Sequence, residues 1–160
     1  MNTTLLDRLR QIGQLPRDGQ RPAVVEIDMY LRENNAIRDL IEVAESGDPQ
    51  VLCAIISMVQ ESFSAEDQRY FWDEISGVNG YSLTLELSLA CLRVVQRDPM
   101  GVGSLTAVQL AWQLVGSDPD PNHDYSSVVS LAGEIMDATD VDRPVKCLLE
   151  QIINNEQAEG

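Results

Sequence analysis

The only histidine, His123, is followed at once by Asp124, the pairing from which a general base and its orienting carboxylate are built. That chemistry also needs a serine or cysteine nucleophile within hydrogen-bond reach of the imidazole, and adjacency in sequence does not supply it. No nucleophile-elbow pattern accompanies the pair. The same stretch imitates a calcium loop: Asp118, Asp120, Asn122 and Asp124 occupy alternate positions, as its first ligands do. The imitation then fails, with His123 where the turn needs glycine and Val129 where the bidentate glutamate belongs. Zinc is served no better, because Cys53, Cys91 and Cys147 lie far apart. Met100-Gly101-Val102-Gly103 is glycine-rich but lacks the lysine and the preceding strand of a phosphate loop. Carboxylate pairs suited to glycosidase chemistry are unavoidable among 26 acidic residues, whereas sugar-stacking aromatics make up only 5% of the chain. The expectation is a protein with no catalytic residues, no metal and no cofactor.

Charge narrows the function further. A formal net charge of −15 from 26 acids and 11 bases repels phosphate backbones and anionic membrane surfaces, and attracts a basic protein. Nucleic acid and membrane are therefore not expected as partners. The opening Met1-Asn2-Thr3-Thr4-Leu5-Leu6-Asp7 has no positive lead or long apolar run, and no stretch nears the length of a membrane span. With three dispersed cysteines read as reduced, buried thiols, the expected location is the cytoplasm.

The elements that must position any site are helical. Thr3 or Thr4 is placed to cap a first helix with Leu5, Leu6, Leu9 and Ile12 inward. A turn is expected at 15–19, then a helix opened by Pro22 and carrying Val24, Val25, Met29 and Leu31. Asn34-Asn35 breaks it; Ile37, Leu40, Ile41 and Ala44 mark the next face, which Gly47 stops. Asp48-Pro49 starts a helix through Val51, Leu52, Ile55, Ile56 and Val59. Ser64 starts another, with Tyr70, Phe71 and Ile75 inward and Gly77 and Gly80 at its exit. Leu83, Leu85, Leu87 and Leu89 alternate with polar residues as in a strand, but the length and leucine content of 81–95 favour a helix with Glu86, Arg93 and Arg97 on one polar stripe. Ser104 is placed to cap a helix through Leu105, Val108, Ala111 and Leu114. After the breaker-rich 116–122, Tyr125, Val128, Val129, Ala132, Ile135 and Met136 form one face, and Arg143-Pro144 opens a last helix. The prediction is an all-α domain over 1–153, a multi-helix bundle or degenerate HEAT-like α-solenoid of about nine short helices, with a frayed polar tail at 154–160. Gly47-Asp48-Pro49 and Arg97-Asp98-Pro99 lie 50 positions apart, without a superposable repeat between them.

The acidity is uneven. Residues 1–50 hold nine acids and six bases, whereas residues 98–160 hold eleven acids against Arg143 and Lys146 alone. Asp124, Ser127, Ser130, Glu134 and Asp137 fall on a stripe opposite the apolar face of their helix. Asp118 and Asp120 precede it, and Asp140 and Asp142 follow. These seven carboxylates, Asp118, Asp120, Asp124, Glu134, Asp137, Asp140 and Asp142, are the expected partner-binding residues, since concentrated charge steers a basic partner.

The run from Leu40 to Ile56, LIEVAESGDPQVLCAII, resembles a HEAT-style helix–turn–helix, and in a small acidic chain it resembles the all-helical immunity proteins of contact-dependent growth inhibition and related polymorphic toxin systems. That resemblance implies a bacterial cytosolic protein that covers the active or substrate-binding surface of a cognate basic toxin, such as a nuclease whose substrate an acidic surface imitates. A cytosolic acidic chaperone or adaptor for a secreted protein is the alternative expectation.

Overall fold

In the computed structural model the described residues are 1–63, 80–116, 122–138 and 140–159. They form helices α1 (Thr3–Gln14), α2 (Arg17–Glu33), α3 (Asp39–Glu45), α4 (Pro49–Phe63), α5 (Gly80–Arg97), α6 (Ser104–Gly116), α7 (Ser126–Ala138) and α8 (Arg143–Glu159). No strand occurs among the described residues, and the ambiguous 81–95 segment is helical. The helix expected to begin at Ser64 lies outside the described residues. Gly80, expected at its exit, is the first residue of α5.

Side chains at the helix ends explain where several elements begin. Asn2 caps α1, its side-chain oxygen accepting the Leu5 N–H at 3.0 Å; the cap expected at Thr3 or Thr4 falls one or two residues earlier because both threonines are already helical. Leu5, Leu9 and Ile12 then share the buried face. α2 begins at Arg17, so Pro22 lies inside it instead of opening it. The early start is held by Gly19 and Gln20, whose N–H groups donate to Pro16 O at 2.8 and 3.1 Å. The Gln20 side chain is buried, donates to Leu15 O at 2.9 Å and accepts the Ser57 hydroxyl of α4. A buried, satisfied glutamine thus ties the new helix to its neighbours. Two apolar stripes compete on α2, and only Val24, Ile27 and Leu31 reach the core; Val25 and Met29, expected inward, are exposed. Leu105 of α6, also expected inward, is exposed as well, because Ala107, Val108, Ala111 and Leu114 fill that interface.

Helix pairs stack in two layers. α3 packs on α5 and α5 on α7, while α4 packs on α6 and α6 on α8; α1 and α2 cover α4. This arrangement is common to a layered bundle and an α-solenoid. The polar stripe of α5 faces α3: Arg38 pairs with Glu86, Arg93 with Glu45, and Arg97 donates to Glu45 O at 2.8 Å. Since Arg38 precedes α3 and Glu45 ends it, these contacts set α3 parallel to α5. The two motifs 50 positions apart meet in space, because a Cβ at Gly47 would stand 3.4 Å from an Arg97 side-chain nitrogen; just beyond the second motif, Gly103 lies directly against the Gly47 backbone. Gly47 itself has φ of 77°, a conformation open to glycine at little cost.

Asp48 joins two of these elements. Its carboxylate accepts the Gln50 N–H at 2.9 Å at the start of α4 and the Arg10 side chain of α1 at 2.7 Å. Burial pushes this carboxyl upward, but Arg10 and the amides of Gln50 and Val51 outweigh that and hold it below its ordinary 3.8. Asp48→Ala is expected to cost about 1 kcal/mol through the lost cap. Asp48→Asn keeps an acceptor but loses the charge. A depressed folded-state value means that the charge stabilises the fold above 3.8 and ceases to do so as pH falls through the folded value. Urea titrations should therefore show the gap between wild type and Asp48→Asn closing in acid; a gap independent of pH would contradict the ion pair.

Candidate functional site

α7 presents Val128, Ala132 and Ile135 to the core and leaves Ser127, Ser130, Glu134 and Asp137 exposed on the other side. Glu134 and Asp137 stand three residues apart, so they are neighbours on one face. Asp140 and Asp142 are exposed in the connection to α8. Among the described residues none of these four carboxylates is in an ion pair. The first half of the chain differs sharply: Arg10 pairs with Asp7 and Asp48, and Arg32 with Asp28, in addition to the α3–α5 pairs.

Only Asp142 of the four has a structural account. Asp142 immediately precedes α8, where a carboxylate favours the positive end of the helix. Asp137 lies in the last turn of α7 and Glu134 in the turn before it, close to the negative end of that helix, and no basic residue stands in its last turn. A carboxylate near a helix C-terminus is disfavoured by the helix dipole, by an amount of order 0.3–1 kcal/mol.

Asp124 is different. Its carboxylate accepts the Ser126 N–H at 2.9 Å as α7 starts, and that amide, with the Ser126 side chain, holds its carboxyl below the ordinary range. It works on its own helix and stands a helix length from Asp137, roughly 20 Å at 1.5 Å per residue. The seven expected residues are therefore not one patch: Asp124 stands apart from Glu134, Asp137, Asp140 and Asp142. Asp118 and Asp120 lie outside the described residues.

His123 has an aromatic setting instead of a catalytic one. Its ring stacks on Tyr81 at 4.4 Å between centroids, Tyr125 meets Tyr81 edge-on at 5.6 Å, and the Tyr81 hydroxyl donates to Asp124 O at 2.6 Å. This clasp fixes the start of α7 beside the first turn of α5. Among the described residues no group of three or more His, Cys, Asp and Glu side chains is placed to hold a metal ion, and no helix is long and apolar enough to cross a membrane. The cysteines are not uniformly buried as expected. Cys91 is enclosed, and burial pushes its thiol up to about 12; Cys53 is half-buried; Cys147 is exposed, on the side of α8 away from Val145 and Leu149.

Exposed apolar side chains with no structural duty are a class of residue that helical periodicity does not reveal. Met100 and Val102 carry a signal of their own, because large apolar residues interspersed among the chain breakers Pro99, Gly101 and Gly103 point to display at a turn. No family model, no curated protein and no solved structure matches this chain.

Proposed function

We propose that this chain is a non-catalytic binding protein of the immunity type, acting in the cytoplasm, which neutralises a basic toxin domain by covering its active or substrate-binding surface. The observation that carries this reading is the state of Glu134 and Asp137. Both are exposed, neither is in an ion pair among the described residues, and Asp137 stands in the last turn, where its own helix disfavours negative charge. Charge kept at a cost to stability points to an external use. Asp140 and Asp142 extend the same field, and Asp118, Asp120 and Asp124 add to it in sequence. A basic toxin, a nuclease among the candidates, is the complementary partner.

Co-expression with the C-terminal domain of a large secreted protein encoded beside its gene tests this. The expected result is a stoichiometric complex with the folded domain. Failure to bind any such domain, with retained binding to unfolded segments of the same secreted protein, would favour the second reading. That reading, a chaperone or adaptor, draws on Val25 and Met29, which leave an apolar ridge on α2 open to solvent.

A further inference from the structure

The helix directions gather three connections along one edge. α3 runs parallel to α5, as their ion pairs require. α7 starts beside the first turn of α5, through Tyr81 and Asp124, and packs along it, so it runs the same way. The α3–α4, α5–α6 and α7–α8 corners therefore lie at the same end of the stack. The first two touch, Gly103 against Gly47.

The middle corner is the unusual one. Val102 is 87% exposed, Met100 63% and Leu105 38%. Their display is not the looseness of a long loop, because the corner is tied at several points. Gly101 N–H donates to Asp98 O at 3.0 Å, Ser104 N–H to Gly101 O at 3.2 Å, and Ala107 N–H to Gly103 O at 2.8 Å. The Ser104 hydroxyl, expected to cap α6, donates back to Asp98 O as well. A side chain at Gly101 would meet the Asp98 carboxylate at 2.5 Å, and one at Gly103 would collide with the Gly47 carbonyl. Val102, held out on this corner, buries little for the fold, and Met100 and Leu105 leave much of their apolar surface in water. They do lower the ordering cost of association. Exposed Asp98 adjoins them in sequence, and exposed Asp140 and Asp142 occupy the next corner.

We infer that this edge is the docking surface of the chain, with Met100, Val102 and Leu105 as its apolar centre and Asp98, Asp140 and Asp142 as its acidic border. Its occupant is a protein segment in which an apolar side chain is flanked by lysine or arginine. An apolar centre inside a charged rim is how specific interfaces divide their work, the first supplying affinity and the second supplying rate and selectivity. The inference rests on the proposed basic partner but moves the contact from the stripe of α7 to the corners beyond its end.

Selection of a random-peptide phage library on the full chain tests it. The expected peptides combine Lys or Arg with Leu, Phe or Trp. Their synthetic forms should bind Met100→Ser/Val102→Ser roughly tenfold or more weakly than wild type, as loss of central apolar contacts does. Val25→Ser/Met29→Ser should bind them unchanged, and both variants should keep the helical spectrum. Basic, apolar peptides that ignore the corner substitutions would overturn the docking surface and leave the basic-partner reading standing. Enriched peptides without basic residues would overturn both. No enrichment at all would overturn the docking surface.

Discussion

Gly103→Ala is expected to destabilise the fold by about 3 kcal/mol, toward the upper end of what overpacking costs. The added Cβ would fall inside the Gly47 carbonyl, and the obstacle is backbone, not the end of a flexible side chain. Relief would require the α3–α4 and α5–α6 corners to separate. That would also disturb the packing of α3 on α5 and of α4 on α6. Gly133→Ala is the internal control, because a Cβ there meets nothing within 4 Å. Being inside α7, that change should stabilise by about 0.5–1 kcal/mol through helix propensity alone. Urea titration of the pair should therefore move in opposite directions. Equal small effects would mean that the two corners do not touch.

Reversing Glu134 and Asp137 to lysine is expected to slow association with the proposed basic partner by roughly tenfold at low salt, while leaving the helical spectrum intact. The carboxylates are exposed and no ion pair among the described residues is lost with them. The fold should tolerate the change, since cations suit the C-terminal turns of a helix better than anions. Raising the salt should narrow the difference, because the Debye length falls from about 10 Å at 0.1 M to about 3 Å at 1 M. Stopped-flow rates across that range check both statements. A difference that persists undiminished at high salt would mean direct, desolvated pairs instead of steering.

The helices were legible because apolar periodicity and capping chemistry act locally. Asp48-Pro49 and Arg143-Pro144 both stand at helix starts, and Asn34-Asn35 ends α2 with Asn35 at φ of 49°. What local pattern does not decide is competition between faces of one helix. On α2, Val24 and Val25 are equally apolar, and only the position of α4 buries one and exposes the other. Pro22 carried a start signal that the Gln20 anchor overrides, and that anchor depends on Ser57, distant in sequence. The exposed stripe of Glu134 and Asp137 was readable from spacing. The local employment of Asp124 was not, because proximity to a helix start leaves open whether its carboxylate turns back to the backbone. The common end of the three corners was invisible in sequence, since it follows from the directions in which α3 and α7 pack on α5.

Growth protection tests the central claim most directly. If the proposed immunity function holds, bacterial cells producing a cognate toxin domain should survive when they also produce the wild-type chain. They should lose that protection when Glu134, Asp137, Asp140 and Asp142 are all reversed to lysine in a protein that still folds. Full protection by the reversed chain would contradict the acidic surface as the means of neutralisation, and no protection by the wild-type chain would contradict the immunity function itself.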